Sequence, residues 1–487
     1  MTNREQPPAT QAATNLLASV SSDIEKLVVF VDDIVENGGA RSKIFTSGQT
    51  GKNLVANIDD LSAYISECRE ASANLAEETE QLVERSEYYA QLAQKLQLEY
   101  LKSAISWIEA SEQSVVCVLA PLFNDENVVD GYCRRIRNID ELMPEELFRI
   151  YVFRDENAPG GSVELVGENY LYVTIGTETD AQPLLREIAR CTNLFYCHSI
   201  YRFDEELLRM RPEVPLVLDF HGSVPEEIEY LIGDTEAAER FEEIERAAVE
   251  RASTIVVVSE NMTDHIVRKH AQAAANTRFI TLPIFDMNRP NAGEKTGDAS
   301  GKPTVVYAGG TQRWQLVNLM LDAIEKVGDA CDYRLFVPDP SQFDDLWGHR
   351  VRPRNLTVST RPPELLPAEY TSCQFGFVLR EDCTVNRVAC PTKLVEYMAN
   401  DVIPIVLSPN IGDFGNDGME YVRLENFLSL HLPDETACAH MLEKNRQVLE
   451  KQTLRFERGS AELRELLAQA DATKIRRKRP AHEAHRV

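Results

Sequence analysis

The chain has 487 residues, of which 43% are hydrophobic and 8% aromatic, so it carries apolar material for two or three domain cores and is not a generally disordered polymer. A net charge of −27 argues against a broad nucleic-acid or anionic-membrane surface, and the locally basic stretch from Lys474 to Arg479 reads as a solvated end. No run approaches the length of a membrane span, residues 1–14 lack an apolar signal core, and a cytoplasmic location is expected.

In chain order, residues 1–14 are expected to be disordered and 15–113 to form a helical region. Leu16, Leu17, Val20, Ile24, Leu27, Val28, Val31, Ile34 and Val35 recur at helical spacing before Asn37-Gly38-Gly39 ends the pattern. A longer helical stretch from about 53 to 111 places Leu75, Leu82, Tyr89 and Leu96 seven apart, the signature of an antiparallel hairpin or short coiled coil. Between them, residues 47–53 have the look of a phosphate loop. They lack its first glycine, the hydroxyl residue after the lysine and a preceding strand, so no nucleotide site is assigned there.

From residue 114 the texture changes to short apolar strands alternating with helices. Strands are expected at 115–120, 148–153, 170–174, 194–198, 216–220, 254–258 and 278–282 in a first Rossmann-like domain, 114–287. A polar Gly- and Pro-rich linker follows at 288–302. The alternation then restarts at 304–308, 333–337, 356–359, 375–379 and 402–406 in a second such domain, 303–432. A closing helix at 433–473 and a basic tail at 474–487 complete the chain. The fold class is therefore α/β, with two Rossmann-like domains in tandem. The ten cysteines are scattered with no C-x-x-C or zinc spacing and are expected to be reduced and mostly buried.

In such sheets ligands bind beyond the carboxyl ends of the strands. The first strand of the second domain ends in Tyr307-Ala308-Gly309-Gly310-Thr311, with Gln312-Arg313-Trp314-Gln315 opening a helix. Paired glycines let a backbone approach a phosphate, and a helix start supplies amide donors. Trp314 fits equally as a core anchor. A later strand end delivers Arg380-Glu381-Asp382, then Asn386-Arg387 and a helix opening on Pro391-Thr392-Lys393. A guanidinium and an ammonium converging there can offset the charge of a departing nucleoside diphosphate, with Glu396 three residues on for ribose hydroxyls. In the first domain His221-Gly222 follows a buried strand and is placed to meet a sugar, while Gly131, Arg135 and His198 are candidates for the acceptor side. No Asp-x-Asp pair stands at a strand end, so no metal is expected.

Taken together, Tyr307-Ala-Gly-Gly with Trp314-Gln315, Leu379-Arg380, Asn386-Arg387 and Pro391-Thr392-Lys393-Leu394-Val395-Glu396-Tyr397 resemble the donor half of the group 1 glycosyltransferases, which have the GT-B architecture. His221-Gly222 and Val257-Val258-Ser259-Glu260-Asn261-Met262 add weaker matches. The resemblance covers roughly residues 114–470 and implies a nucleotide-sugar donor, a glycan or lipid-linked acceptor of the kind used in polysaccharide biosynthesis, and transfer without metal or cofactor. It implies Arg380 and Lys393 on the diphosphate beside Pro391 and Thr392, and Glu396 on the ribose. Gly309, Gly310, Thr311 and Gln315 would meet the sugar-phosphate end, and His221 the donor sugar. Many retaining members carry a glutamate eight residues before the ribose glutamate, where this chain has Val388, so retention or inversion is left open. The competing expectations are a catalytically silent assembly module of the same fold and a nucleotide-sugar epimerase. The N-terminal helices are expected to form a homodimer or to hold the protein peripherally at a membrane.

Overall fold

The computed structural model describes residues 79–124, 127, 130–284 and 301–477. The expected disordered start, the first helix at 16–35, the loop at 47–53, most of the linker at 288–302 and the tail beyond 477 lie outside the described residues. So does the partner of any N-terminal hairpin.

Helix α1 (Thr79–Ala110) leads into strand β1 (Val115–Leu119), then α2 (Gly131–Asp140), β2 (Phe148–Asp155), β3 (Ser162–Val166), β4 (Tyr170–Gly176), α3 (Ala181–Cys191) and β5 (Leu194–His198). Next come α4 (Glu205–Met210), β6 (Leu216–Phe220), α5 (Val224–Ile232), α6 (Thr235–Arg251), β7 (Thr254–Val257), α7 (Glu260–Lys269) and β8 (Arg278–Thr281). The eight strands form one sheet in the order β3-β4-β2-β1-β5-β6-β7-β8. The second sheet is built from β9 (Thr304–Ala308), β10 (Asp332–Phe336), β11 (Leu356–Ser359), β12 (Phe375–Val378), β13 (Ile403–Val406) and β14 (Val422–Arg423), in the order β11-β10-β9-β12-β13-β14. Its helices are α8 (Val317–Val327), α9 (Pro340–Trp347), α10 (Leu366–Tyr370), α11 (Thr384–Val388), α12 (Thr392–Ala399), α13 (Phe414–Asp417) and α14 (Leu424–Leu428), and α15 (Glu435–Arg477) closes the chain.

The central strands β1, β5, β6, β7, β9, β12 and β13 are buried along their whole length, as unbroken apolar runs in a doubly covered parallel sheet must be. Two strands escape the sequence pattern. β3, in which only Val163 is buried, pairs antiparallel with β4 and closes an edge, while β14 is only two residues long. On α1, Leu96, the last residue of the heptad stripe, and Leu101, Ile105 and Ile108 beyond it are at most 7% exposed, and the helix lies on α3 and β3 of the same chain.

By contact density, one compact unit takes the described residues up to His198 together with Arg202–Val217 and the end of α15; the other takes Ser199–Tyr201 and Leu218–Glu465. The second unit contains the whole second sheet and also α5, β7 and α7. Among the described residues no helix is long and apolar enough to cross a membrane, and nine cysteines are free thiols.

Candidate active site

Strand β9 ends at Ala308, whose N–H donates to the Tyr397 hydroxyl at 2.9 Å. That tyrosine belongs to α12 and lies against Gly376 of β12, where a Cβ would stand 2.4 Å from Tyr397 Cε2, so the glycine in the strand is a packing requirement. The chain then turns at Gly309, with φ of +153°, a conformation that favours glycine. A Cβ at Gly309 would come within 2.7 Å of Lys393 Nζ. The first glycine of the pair therefore makes room for the ammonium, and the Gly-Gly signal and the Pro-Thr-Lys signal meet in space. Gln312-Arg313-Trp314-Gln315 does not open the next helix directly. Residues 313–315 make a single 3-10 turn, and Leu316, at φ +48°, reorients the chain before α8 begins.

Lys393 is 8% exposed. Its ammonium donates to Gln315 Oε1 at 2.9 Å and stands 3.8 Å from the centroid of the Tyr307 ring, a cation–π contact. The Tyr307 hydroxyl donates to the Gly310 carbonyl at 2.5 Å, which fixes the ring. Burial holds the Lys393 ammonium well below the ordinary lysine range; the positive charge of Arg380 adds to the shift and Glu396 opposes it. Arg380 follows β12. Its Nη1 donates to Asn386 Oδ1 at 3.0 Å, and its buried Nε has no hydrogen-bond partner in the structure. Burial also lowers the Arg380 guanidinium from its ordinary value.

The two cations are held by neutral side-chain amides, and neither forms an ion pair with a carboxylate among the described residues. Glu381 and Asp382 do not neutralise Arg380. Asp382 is taken by the exposed Arg387, 2.6 Å away, and by Asn410 Nδ2 at 2.7 Å. Asn386, 0% exposed, is the scaffold of this corner: its Nδ2 donates to the Glu381 carbonyl at 2.9 Å while its Oδ1 holds Arg380. Pro391 caps α12 and Thr392, its first residue, is exposed, so the opening turn of the helix is open to solvent beside Lys393. Glu396 lies one turn on, where the Tyr370 hydroxyl donates to its carboxylate at 3.4 Å. Gly310 and Thr311 are part-exposed next to Gly309.

His221 follows β6 and is part-buried. Its Nε2 is 3.6 Å from a carboxylate oxygen of the fully buried Asp219, two residues earlier on the strand. Gly131, Arg135 and His198 belong to the other compact unit: Gly131 is exposed at the start of α2, whereas Arg135 and His198 are 2% and 0% exposed.

Val388 is 3% exposed at the end of α11, and its carbonyl accepts from the Ser259 hydroxyl at 2.6 Å. The position is part of the packed structure. Sequence reasoning quoted Tyr307 and Asn386 in its motifs but gave neither them nor Asp219 a supporting role, because each is defined by a neighbour that only the folded chain supplies.

No protein-family model matches this chain, and no curated protein matches it in sequence. Solved structures do match. Sucrose-phosphate synthase from Thermosynechococcus elongatus is 14% identical with a TM-score of 0.50, over 74% of this chain and 100% of that one. The fold is GT-B. An α,α-trehalose-phosphate synthase (UDP-forming) from Burkholderia vietnamiensis is 12% identical over 72% of this chain and 100% of its own, with a TM-score of 0.48. The Anabaena protein HepE, solved in complex with UDP and glucose, is 12% identical over 74% of this chain and 100% of its own, with a TM-score of 0.46. At these identities the likeness concerns architecture, and the GT-B chain's own residues must carry any statement about chemistry.

Proposed function

We propose that this GT-B chain is a glycosyltransferase that binds the diphosphate of a nucleotide-sugar donor at Arg380 and Lys393 and transfers the sugar to a glycan or lipid-linked acceptor without a metal. The observation that supports this reading is a pair of mutually repelling cations, Lys393 buried and Arg380 part-buried, held by the amides of Gln315 and Asn386. Withdrawing two like charges from water without an ion-paired carboxylate is costly, and an anionic ligand relieves that cost. The opening turn of α12 beside Lys393 supplies backbone N–H groups for such an anion, while the Gly309 N–H is already given to the Phe336 carbonyl at 3.0 Å.

In this reading Lys393 and Arg380 offset the charge that develops on the leaving diphosphate as the bond to the sugar breaks. Glu396 accepts hydrogen bonds from the ribose, and the turn at Gly309, Gly310 and Thr311 with Gln315 borders the sugar-phosphate end. His221 meets the donor sugar near the reacting carbon, and Asp219 fixes the orientation of its ring. The buried Val388 favours a second reading, a silent module that binds donor without turnover, since the glutamate found there in many retaining relatives is absent.

Calorimetry with inorganic pyrophosphate in chelator-treated buffer tests the site, and a nucleotide-sugar panel tests turnover. Lys393→Ala is expected to weaken pyrophosphate binding by about tenfold or more, the worth of a charge-assisted contact in a dry site, and to abolish turnover while the folded baseline persists. Unchanged pyrophosphate affinity in this variant sinks the donor site. Donor binding with no turnover across the panel favours the silent module.

A further inference from the structure

The turn that carries His221 is gripped by a side chain that follows it. A Cβ at Gly222 would stand 2.0 Å from Glu227 Oε1 and 3.0 Å from its Cδ, so the carboxyl lies directly against the Gly222 backbone. The same carboxyl accepts a hydrogen bond from the Ser223 N–H. Ser223 stands at the N-cap of α5 yet makes no side-chain cap bond, and its buried hydroxyl has no partner in the structure. The acceptor for this turn is thus Glu227, one turn into the helix, rather than the usual N-cap oxygen. Helix α5 packs on α11, the helix that follows Arg380, which brings the Glu227 carboxyl within electrostatic reach of the guanidinium without an ion pair between them.

We propose that Glu227 is a positioning residue: its carboxyl clamps the His221-Gly222-Ser223 turn on one side and faces the Arg380 guanidinium on the other, so that an anion arriving at Arg380 is felt at His221. The second half of this statement rests on the donor-site reading above; the clamp does not. An anion on Arg380 competes for the attraction that holds the carboxyl, and the turn relaxes with it. Burial pushes the Glu227 carboxyl above the usual carboxylate range, with the Ser223 N–H and Arg380 opposing and Glu226 reinforcing the shift. Other groups nearby are His221 on the turn, Tyr201 before it, and Cys383 beside Arg380.

The test reads the histidine ring resonances of the full chain, which has nine histidines, with His221→Asn assigning the signal. Glu227→Ala and Gly222→Ala are each expected to move the His221 resonance in the same direction, by more than any other histidine moves. Glu227→Asp, which withdraws the carboxyl by one methylene, is expected to move it the same way by less. Glu227→Gln keeps an acceptor of the same shape and is expected to leave the resonance in place. Pyrophosphate should shift the His221 signal in the unmodified protein, and at least half of that shift should vanish in Glu227→Gln. A His221 signal unmoved in Glu227→Asp and Gly222→Ala overturns the clamp, even if Glu227→Ala fails to fold. A full pyrophosphate response in Glu227→Gln overturns the coupling. If the unmodified protein binds no pyrophosphate, the donor-site reading falls and the coupling with it, while the substitution shifts still decide the clamp.

Discussion

Lys393 shows what a single residue costs and supplies. Its identity was legible because a lysine at the start of a helix after a buried strand is a common anion device. Its surroundings were not. The Gln315 oxygen that holds it lies 78 residues earlier and the Tyr307 ring 86 residues earlier, so nothing in the local pattern announces either. Because the folded protein depresses its ionisation, Lys393 binds fewer protons folded than unfolded, and stability rises with pH from the lowered folded value up through the ordinary lysine value of about 10.4. At neutral pH the group therefore works against the fold. Lys393→Met, which keeps the bulk and removes the amine, is expected to stabilise the unliganded protein by about 1–3 kcal/mol while removing pyrophosphate binding. Urea denaturation with and without pyrophosphate measures both, and a destabilised variant would show the ammonium to be satisfied already in the empty site.

At the scale of elements, α5 and α7 are joined by charges that the sequence presented only as helix-surface residues. Glu226 accepts from Lys269 at 2.9 Å and pairs with His265 at 2.9 Å, Lys269 reaches Glu245 at 2.8 Å, and His270 pairs with Glu245 at 2.7 Å. The start of α7 was readable, since Ser259 is an N-cap residue and accepts from Met262 N–H at 3.1 Å. The second cap was not: Asp413, some 150 residues later, accepts from Glu260 N–H and Asn261 N–H at 2.8 and 2.9 Å. Glu226 makes the network testable. Burial opposes its ionisation, but His265 and Lys269 prevail and lower its carboxyl to about 2. Its contribution is therefore present above the ordinary carboxylate value and is lost as pH falls toward about 2. Glu226→Gln is expected to cost about 1–3 kcal/mol at neutral pH, discounted for its partial exposure. That difference should close as the pH drops through the acid range, and a gap constant from neutral pH to acid would assign the loss to packing instead.

For the whole molecule, the tandem α/β plan was legible because unbroken apolar strands separated by helices have few other solutions. The antiparallel edge strand β3 was not, since a short alternating run beside Gly160-Gly161 looks the same as a loop. The heptad stripe of α1 was legible as a pattern but not as to its partner, which from Leu96 onward is the chain's own α3 and β3. Charge adds a constraint of the same global kind. An anionic donor approaches a molecule of net charge −27, against which the recessed Lys393 and the part-buried Arg380 attract it. Added salt screens the long-range repulsion, while charges out of bulk solvent are screened far less. Pyrophosphate affinity is therefore expected to change by less than about threefold between about 20 mM and about 200 mM salt, where an exposed basic surface contacting several phosphates would lose orders of magnitude. Calorimetry across a potassium chloride series decides it. A steep loss with salt would move the anion away from Lys393 and Arg380 and onto solvent-exposed basic residues, with the stretch from Lys474 to Arg479 the first to be deleted in search of it.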